Sequence, residues 1–117
     1  MDCLFCKIIK GEIPAEIIWQ DNEIFAFKDI HPLAPIHILI IPKKHISSIA
    51  ELQDSDEKLM GKMIMAAKML AEKQGIAKNG YKLLFRVGFH GGQEVPHIHL
   101  HLLGGACLFE DIHPIND

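Results

Sequence analysis

The hydrophobic and polar positions of this chain follow two different periods, and the changes of period divide it into elements. Residues 3–10 fit a short helix, with Asp2 as its cap and Gly11 in the position that commonly ends one. Residues 15–20 and 23–28 alternate as two short strands around the turn-forming pair Asp21-Asn22, which predicts a hairpin. Phe25 and Phe27 share one face of the second strand and read as core. After the loop 32–35, residues 37–41 are nearly continuous in apolar character, predicting a central strand buried on both faces and closed by Pro42. Asp54 with Glu57 three residues on predicts the capped start of one long helix, running to about Gln74 before Gly75. Leu59, Met63, Ala67 and Leu70 form its apolar stripe, joined by Met60, Ile64 and Ala71; this is a core face rather than a methionine-rich binding surface. Residues 81–87 read as a further strand, and 88–93 as a glycine-rich turn leading into the last one.

That last strand carries chemistry. In Val95-Pro96-His97-Ile98-His99-Leu100-His101-Leu102-Leu103-Gly104-Gly105, three histidines alternate with three aliphatic residues before a glycine pair. Successive side chains of an extended chain point to opposite sides, so His97, His99 and His101 line one surface while Ile98, Leu100 and Leu102 enter the core. On a helix, at roughly 100 degrees per residue, the histidines would spread over about 400 degrees and share no face. Pro96 marks the strand's start or an edge, and Gly104-Gly105 its end. Packing alone prefers apolar side chains on such a face, because crowded imidazoles need partners for their nitrogens. Three together point to catalysis or to a metal. The sequence of elements predicts an α+β fold: an antiparallel sheet of about five strands, one long helix packed on it and a short N-terminal helix.

Composition narrows what this face can act on. With 117 residues, 49% of them hydrophobic and 23% charged, the chain suits one domain spanning 1–117 with a real core. The net charge of −3 and pI near 6.2 lack the basic excess of a nonspecific nucleic-acid binder, so a nucleotide fits better than a polymer. Met1-Asp2 offers no cationic leader and apolar runs such as 38–41 are too short for a bilayer, which predicts a cytoplasmic protein with no membrane partner.

Three cysteines make no disulfide framework, but Cys3 and Cys6 share one face of the first helix, close enough for a single metal ion. The same Cys-x-x-Cys spacing fits a thioredoxin-like redox centre, although that centre is expected after a strand. A closed zinc site needs two further ligands, for which histidines elsewhere are candidates. Asp29 is either a turn residue before His31-Pro32 or a carboxylate free to accept hydroxyl donors.

His-x-His-x-His followed by two apolar residues is the hallmark of the histidine-triad (HIT) superfamily, which this chain resembles. Phe5-Cys6-Lys7-Ile8-Ile9, Glu12-Ile13-Pro14, Phe27-Lys28-Asp29-Ile30, Ala34-Pro35-Ile36-His37, Ile41-Pro42-Lys43-Lys44-His45 and Gly91-Gly92-Gln93 are similar, in the same order, to its Hint branch, over residues 3–105. The resemblance implies hydrolysis of a purine nucleoside 5′-phosphoramidate, with an AMP or GMP moiety, by a homodimer whose two sheets join. It implies His99 as the nucleophile, with His101 and His37 stabilising phosphoryl charge and managing protons. Asp29 would contact the ribose hydroxyls, Ile30 the base, and Arg86, Gln93 and Glu94 the phosphate and leaving group. It also implies a structural zinc ion on Cys3, Cys6, His45 and His97. Two positions depart from the pattern: relatives usually carry asparagine or glutamine at Arg86 and often a hydroxyl residue at Glu94. A carboxylate there suits an amine leaving group and repels an extra phosphate, favouring phosphoramidates over dinucleoside polyphosphates. The alternatives are a dinucleoside polyphosphate hydrolase, or a nucleotide-binding regulatory module with little turnover.

Overall fold

A sheet with one apolar face and one mixed face gives the chain its two layers. The computed structural model describes residues 3–115. Helix α1 (Leu4–Ile9) is followed by strands β1 (Ile17–Gln20), β2 (Ile24–Lys28) and β3 (Ile36–Pro42), the long helix α2 (Glu57–Lys73), then β4 (Lys82–Leu84) and β5 (Leu100–Gly104). All pairings are antiparallel, in the order β1-β2-β3-β5-β4. This is the expected α+β architecture of five strands, one long helix and a short N-terminal one.

Alternation decides which layer each side chain serves. Ile24 and Ala26 of β2, Ile38 and Ile40 of β3, and Leu100 and Leu102 of β5 pack against the α2 stripe of Leu59, Met63, Ala67 and Leu70. Phe25, Phe27, Leu39 and Ile41 point the other way and are covered by Cys3, Phe5 and Ile8 of the N-terminal segment. Each fully buried Leu, Ile or Phe contributes roughly 1.5–3 kcal/mol. Strand β3 supplies two side chains to either layer, so it is the strand the fold can least lose. Its register against β5 sets Leu39 opposite His101 and His37 opposite Leu103, which makes His37 and His101 diagonal neighbours on the mixed face.

Where boundaries differ from those the sequence predicts, local chemistry explains the shift. The proposed cap Asp2 lies outside the described residues, and the N-cap of α1 is Cys3, whose sulfur accepts from the Cys6 backbone N–H. Strand β1 starts at Ile17 rather than residue 15, with an irregular pairing between Ile17 and Trp19. Helix α2 begins at Glu57 behind a short 3-10 turn, and the capping pair is Gln53 and Asp56, not Asp54 and Glu57: Gln53 N–H donates to Asp56 Oδ2 at 3.0 Å. Lys44, whose side chain stays largely exposed, pairs with buried Asp56 at 2.7 Å. Ile64, expected in the stripe, is exposed. Strand β4 stops at Leu84, opposite His101, because β5 starts only at Leu100 and residues 86–87 would run past its end. That late start follows from Pro96, which has no N–H to donate; the Ile98 N–H goes to the Ile46 carbonyl instead of the ladder. His97 and His99 therefore precede β5, although their side chains keep the face that alternation assigned. Residues 106–115 have no regular structure. Among the described residues no helix is long and apolar enough to cross a membrane.

Candidate active site

The mixed face of the sheet opens into a cavity of about 650 Å³ whose polar wall holds His37, His99, His101, Asp29, Arg86 and Glu94. The apolar wall comes from α1 and from the loop bearing Ile30, which is 80% exposed, and Leu33. A hollow of about 870 Å³ beside α2, between Trp19 and Met65, is lined by neither imidazole nor thiol. Phe5 of α1 braces the chemistry: its ring meets His97 and His99 edge-on, with centroids 5.9 and 5.1 Å away. The loop feeding the site depends on its glycines, Gly91 most tightly. A Cβ on Gly91 would stand 2.3 Å from the Val87 carbonyl oxygen, so only glycine allows this turn to close.

Hydrogen bonds fix the protons on the rings. His99 Nδ1 lies 2.8 Å from the His97 carbonyl, which only accepts; Nδ1 therefore carries the proton and Nε2 keeps its lone pair. His37 Nδ1 accepts from the Leu33 N–H at 3.0 Å, which puts the His37 proton on Nε2, 2.9 Å from His101 Nδ1. Asp29 Oδ2 is 3.4 Å from the same His37 Nε2, while its Oδ1 accepts from the His31 N–H at 2.8 Å. Asp29 is thus the turn residue that one reading of the sequence predicts, and its carboxylate also lines the cavity. Arg86 Nη1 reaches His101 Nε2 at 3.1 Å.

Burial keeps these imidazoles neutral. Desolvation is the main cause that lowers His37, His99 and His101 below the ordinary range; the Arg86 cation adds to it for all three, and the neighbouring His99 and His37 rings add to it for His101. His101 is pushed down to about 3. Between that value and the unfolded value of 6.5 the unfolded chain binds a proton that folded His101 refuses. The stability contributed by the neutral ring is therefore complete above about pH 6.5 and is lost as the pH falls toward about 3. His101 alone should remove about 2 kcal/mol of unfolding free energy between pH 6.5 and 5. Denaturant titrations at the two pH values check this, and a His101→Phe protein should show a smaller loss.

A second group sits on the other side of His99. Cys3, Cys6, His45 and His97 place one ligand atom each within 4.8 Å of all the others and could hold a metal ion. The donor chemistry fits. His97 Nε2 donates to the Pro42 carbonyl at 2.8 Å, which turns the Nδ1 lone pair toward the thiols, as the outer hydrogen bond of a metal-bound imidazole does. The His45 and His97 Nδ1 atoms are 3.2 Å apart; Cys3 Sγ to His97, Cys6 Sγ to His45 and Cys6 Sγ to His97 measure 3.4, 3.4 and 3.7 Å. A zinc tetrahedron with bonds of about 2.0 Å to nitrogen and 2.3 Å to sulfur has N–N edges of about 3.3 Å and N–S edges of about 3.5 Å. Without an ion, burial and the neighbouring Cys3 push the Cys6 thiol up, away from the reactive thiolate of a redox centre. Asp29, His37 and His101 also lie within 4.8 Å of one another. That group fits a metal poorly, because the Leu33 N–H holds the His37 proton on the very nitrogen that would have to bind.

The structure thus brings together all the histidines and the two N-terminal cysteines singled out from the sequence, with Asp29, Ile30, Arg86 and Glu94 around the cavity. Gln93 stands apart from the cavity lining: its amide accepts from Gly88 N–H at 3.0 Å and donates to the carbonyls of Ser47 and Val95 at 2.6 and 3.0 Å. It pins the loop to its neighbours. The groups that sequence reasoning missed are mainly backbone: the carbonyls of Pro42 and His97 and the N–H of Leu33. They have no residue-type signal.

Three alternating histidines leading into a sheet strand beside a fourth, with a cavity over them, define a histidine-triad hydrolase, and the chain belongs to the HIT superfamily. Residues 2–113 match the family described as scavenger mRNA decapping enzyme C-term binding. The chain is 49% identical to the purine nucleoside phosphoramidase of Escherichia coli (strain K12) over 107 residues, which are 92% of this chain and 90% of that one. Among solved structures, a HIT family hydrolase from Legionella pneumophila Philadelphia 1 is 53% identical with a TM-score of 0.90, covering 92% of this chain and 96% of that chain. A histidine triad protein from Clostridium difficile is 38% identical with a TM-score of 0.92, covering 96% and 97%.

Proposed function

We propose that this hydrolase cleaves purine nucleoside 5′-phosphoramidates through a nucleotidyl-histidine intermediate on His99. The observation that carries the proposal is the 2.8 Å bond from His99 Nδ1 to the His97 carbonyl, which leaves a neutral ring with Nε2 unprotonated in the cavity. That lone pair attacks the α-phosphorus; the P–Nε2 bond forms as the P–N bond to the amine breaks, and the departing amine takes a proton from solvent water. His99 becomes a cation while it holds the nucleotidyl group, and the His97 carbonyl stabilises its Nδ1–H. Water then attacks phosphorus as the P–Nε2 bond breaks, and the nucleoside monophosphate leaves while the water's proton passes to solvent. The Nε2–H of His101, oriented by His37, donates to the charge that develops on the phosphoryl oxygens, and Glu94 orients the amine. Turnover of adenosine 5′-phosphoramidate tests the reading. AMP binding without hydrolysis would make the chain a binding module instead.

Cys3, Cys6, His45 and His97 would hold one zinc ion. Four protein ligands leave no open position for water, so the metal supplies structure: it ties α1 to the segment that carries His99. Thiols that serve as ligands must stay reduced, which suits a cytoplasmic enzyme. Strand β4 forms one edge of the sheet and could pair with its counterpart in a homodimer.

Asp29 is the group proposed to read the sugar, since a ribose offers its carboxylate two hydroxyl donors and a deoxyribose fewer. Asp29→Ala should narrow the ribo-to-deoxyribo ratio of kcat/KM by about tenfold. Asp29→Asn, which can keep the turn bond to His31, separates sugar reading from loop damage. An unchanged ratio in an active Asp29→Ala protein would assign the sugar to other residues.

A further inference from the structure

Two hydrogen-bond donors face each other in the cavity. Leu33 N–H occupies His37 Nδ1, so the His37 proton is on Nε2 and points to His101 Nδ1 at 2.9 Å. His101 Nδ1 must accept, which leaves the neutral His101 ring protonated on Nε2. Arg86 Nη1 lies 3.1 Å from that atom, and a guanidinium only donates. The reverse assignment, with His101 accepting from Arg86 and donating to His37, would strip His37 of both its protons. Protonating either ring makes matters worse, since each added proton meets another donor. The relay therefore carries one donor more than it can satisfy.

An oxyanion resolves the conflict, because one oxygen can accept from both groups at once. We propose that Arg86 and His101 Nε2–H clamp one non-bridging phosphate oxygen, and that this clamp selects the doubly charged nucleoside monophosphate product over the singly charged substrate. The inference rests on the hydrolytic reading above and adds a consequence, inhibition by the product. A phosphoramidate of this type carries one negative charge at phosphorus, whereas a phosphate monoester carries about −1.5 to −2 at pH 7. A fixed cation discriminates between these charges; a neutral side chain discriminates far less. The carboxylates of Asp29 and Glu94 and the ammonium of Lys28 also border the cavity. Arg86 is the cation that touches the relay.

The test compares wild type with Arg86→Gln and Arg86→Lys, each loaded with zinc. AMP and adenosine are titrated by calorimetry, and adenosine 5′-phosphoramidate hydrolysis is followed in parallel. Arg86→Gln should bind AMP about tenfold more weakly or worse and bind adenosine as wild type does, and its loss of AMP affinity should exceed its rise in KM. Arg86→Lys, which keeps the charge, should retain most of the preference for AMP. Equal AMP affinity in wild type and Arg86→Gln, or equal loss in both variants, would overturn the clamp. Adenosine binding and the thermal midpoint report whether each variant is folded. If wild type prefers AMP through Arg86 yet hydrolyses no phosphoramidate, the clamp stands and the hydrolytic reading fails.

Discussion

His99→Ala should lower kcat by at least about 10⁴-fold while AMP binds within about threefold of wild type. A nucleophile acts on the transition state and contributes little to ground-state affinity, so the two measurements should separate cleanly. The cavity should survive the substitution, because its other polar groups sit on different elements, with His37 on β3, His101 on β5, and Asp29 and Arg86 in loops. The cost to the fold is the edge contact with Phe5, the ring contact with His101 and the bond to the His97 carbonyl. His101→Ala should act differently. It removes a donor to the phosphoryl oxygens, slowing both steps while leaving the intermediate able to form. Rapid kinetics on both variants, with calorimetry of AMP binding, checks the contrast.

The second large effect concerns the metal. Cys6→Ala, or removal of metal with a strong chelator, should lower the thermal midpoint by about 10 °C or more, which is about 2–3 kcal/mol for a domain of this size. Helix α1 has six residues and is too short to persist alone. Burial of Phe5 and Ile8 holds it in part; a zinc ion would hold the rest by joining Cys3 and Cys6 to His45 and His97. Activity should fall with the metal, because the carbonyl that orients His99 belongs to His97 and the ring that braces both belongs to Phe5. Metal analysis of protein purified without chelator should find about one zinc per chain. Full activity and an unchanged midpoint at near-zero zinc would contradict the structural role.

The two layers of the sheet were legible because alternation is a strong signal where both faces are buried. Ile98, Leu100 and Leu102 are placed correctly by period alone, as are Phe25 and Phe27 on the opposite layer. Strand ends were less legible, since they depend on where a partner strand stops: β4 ends at Leu84 because β5 has not yet begun. The capping carboxylate of Asp56 also pairs with Lys44, twelve residues away, which no local motif announces. The side chains around the cavity could be named from residue type and resemblance. What makes them chemically specific is backbone, the Pro42 and His97 carbonyls and the Leu33 N–H, which assign a proton to each ring. Arg86 was visible as a departure from the pattern, but the head-on meeting of its guanidinium with His101 needed coordinates.

The central claim is that His99 becomes covalently attached to the nucleotide, and trapping that adduct tests it most directly. Wild-type protein is mixed with a phosphoramidate bearing a good leaving group, quenched with denaturant within milliseconds at alkaline pH, where a phosphorus–imidazole bond survives, and digested for mass spectrometry. The proposed mechanism predicts one nucleotidyl group per chain, located on His99 and formed in a burst ahead of steady turnover. Steady hydrolysis with no adduct at any time, or the same adduct forming in His99→Ala, would contradict it and leave direct attack by water or another nucleophile as the route.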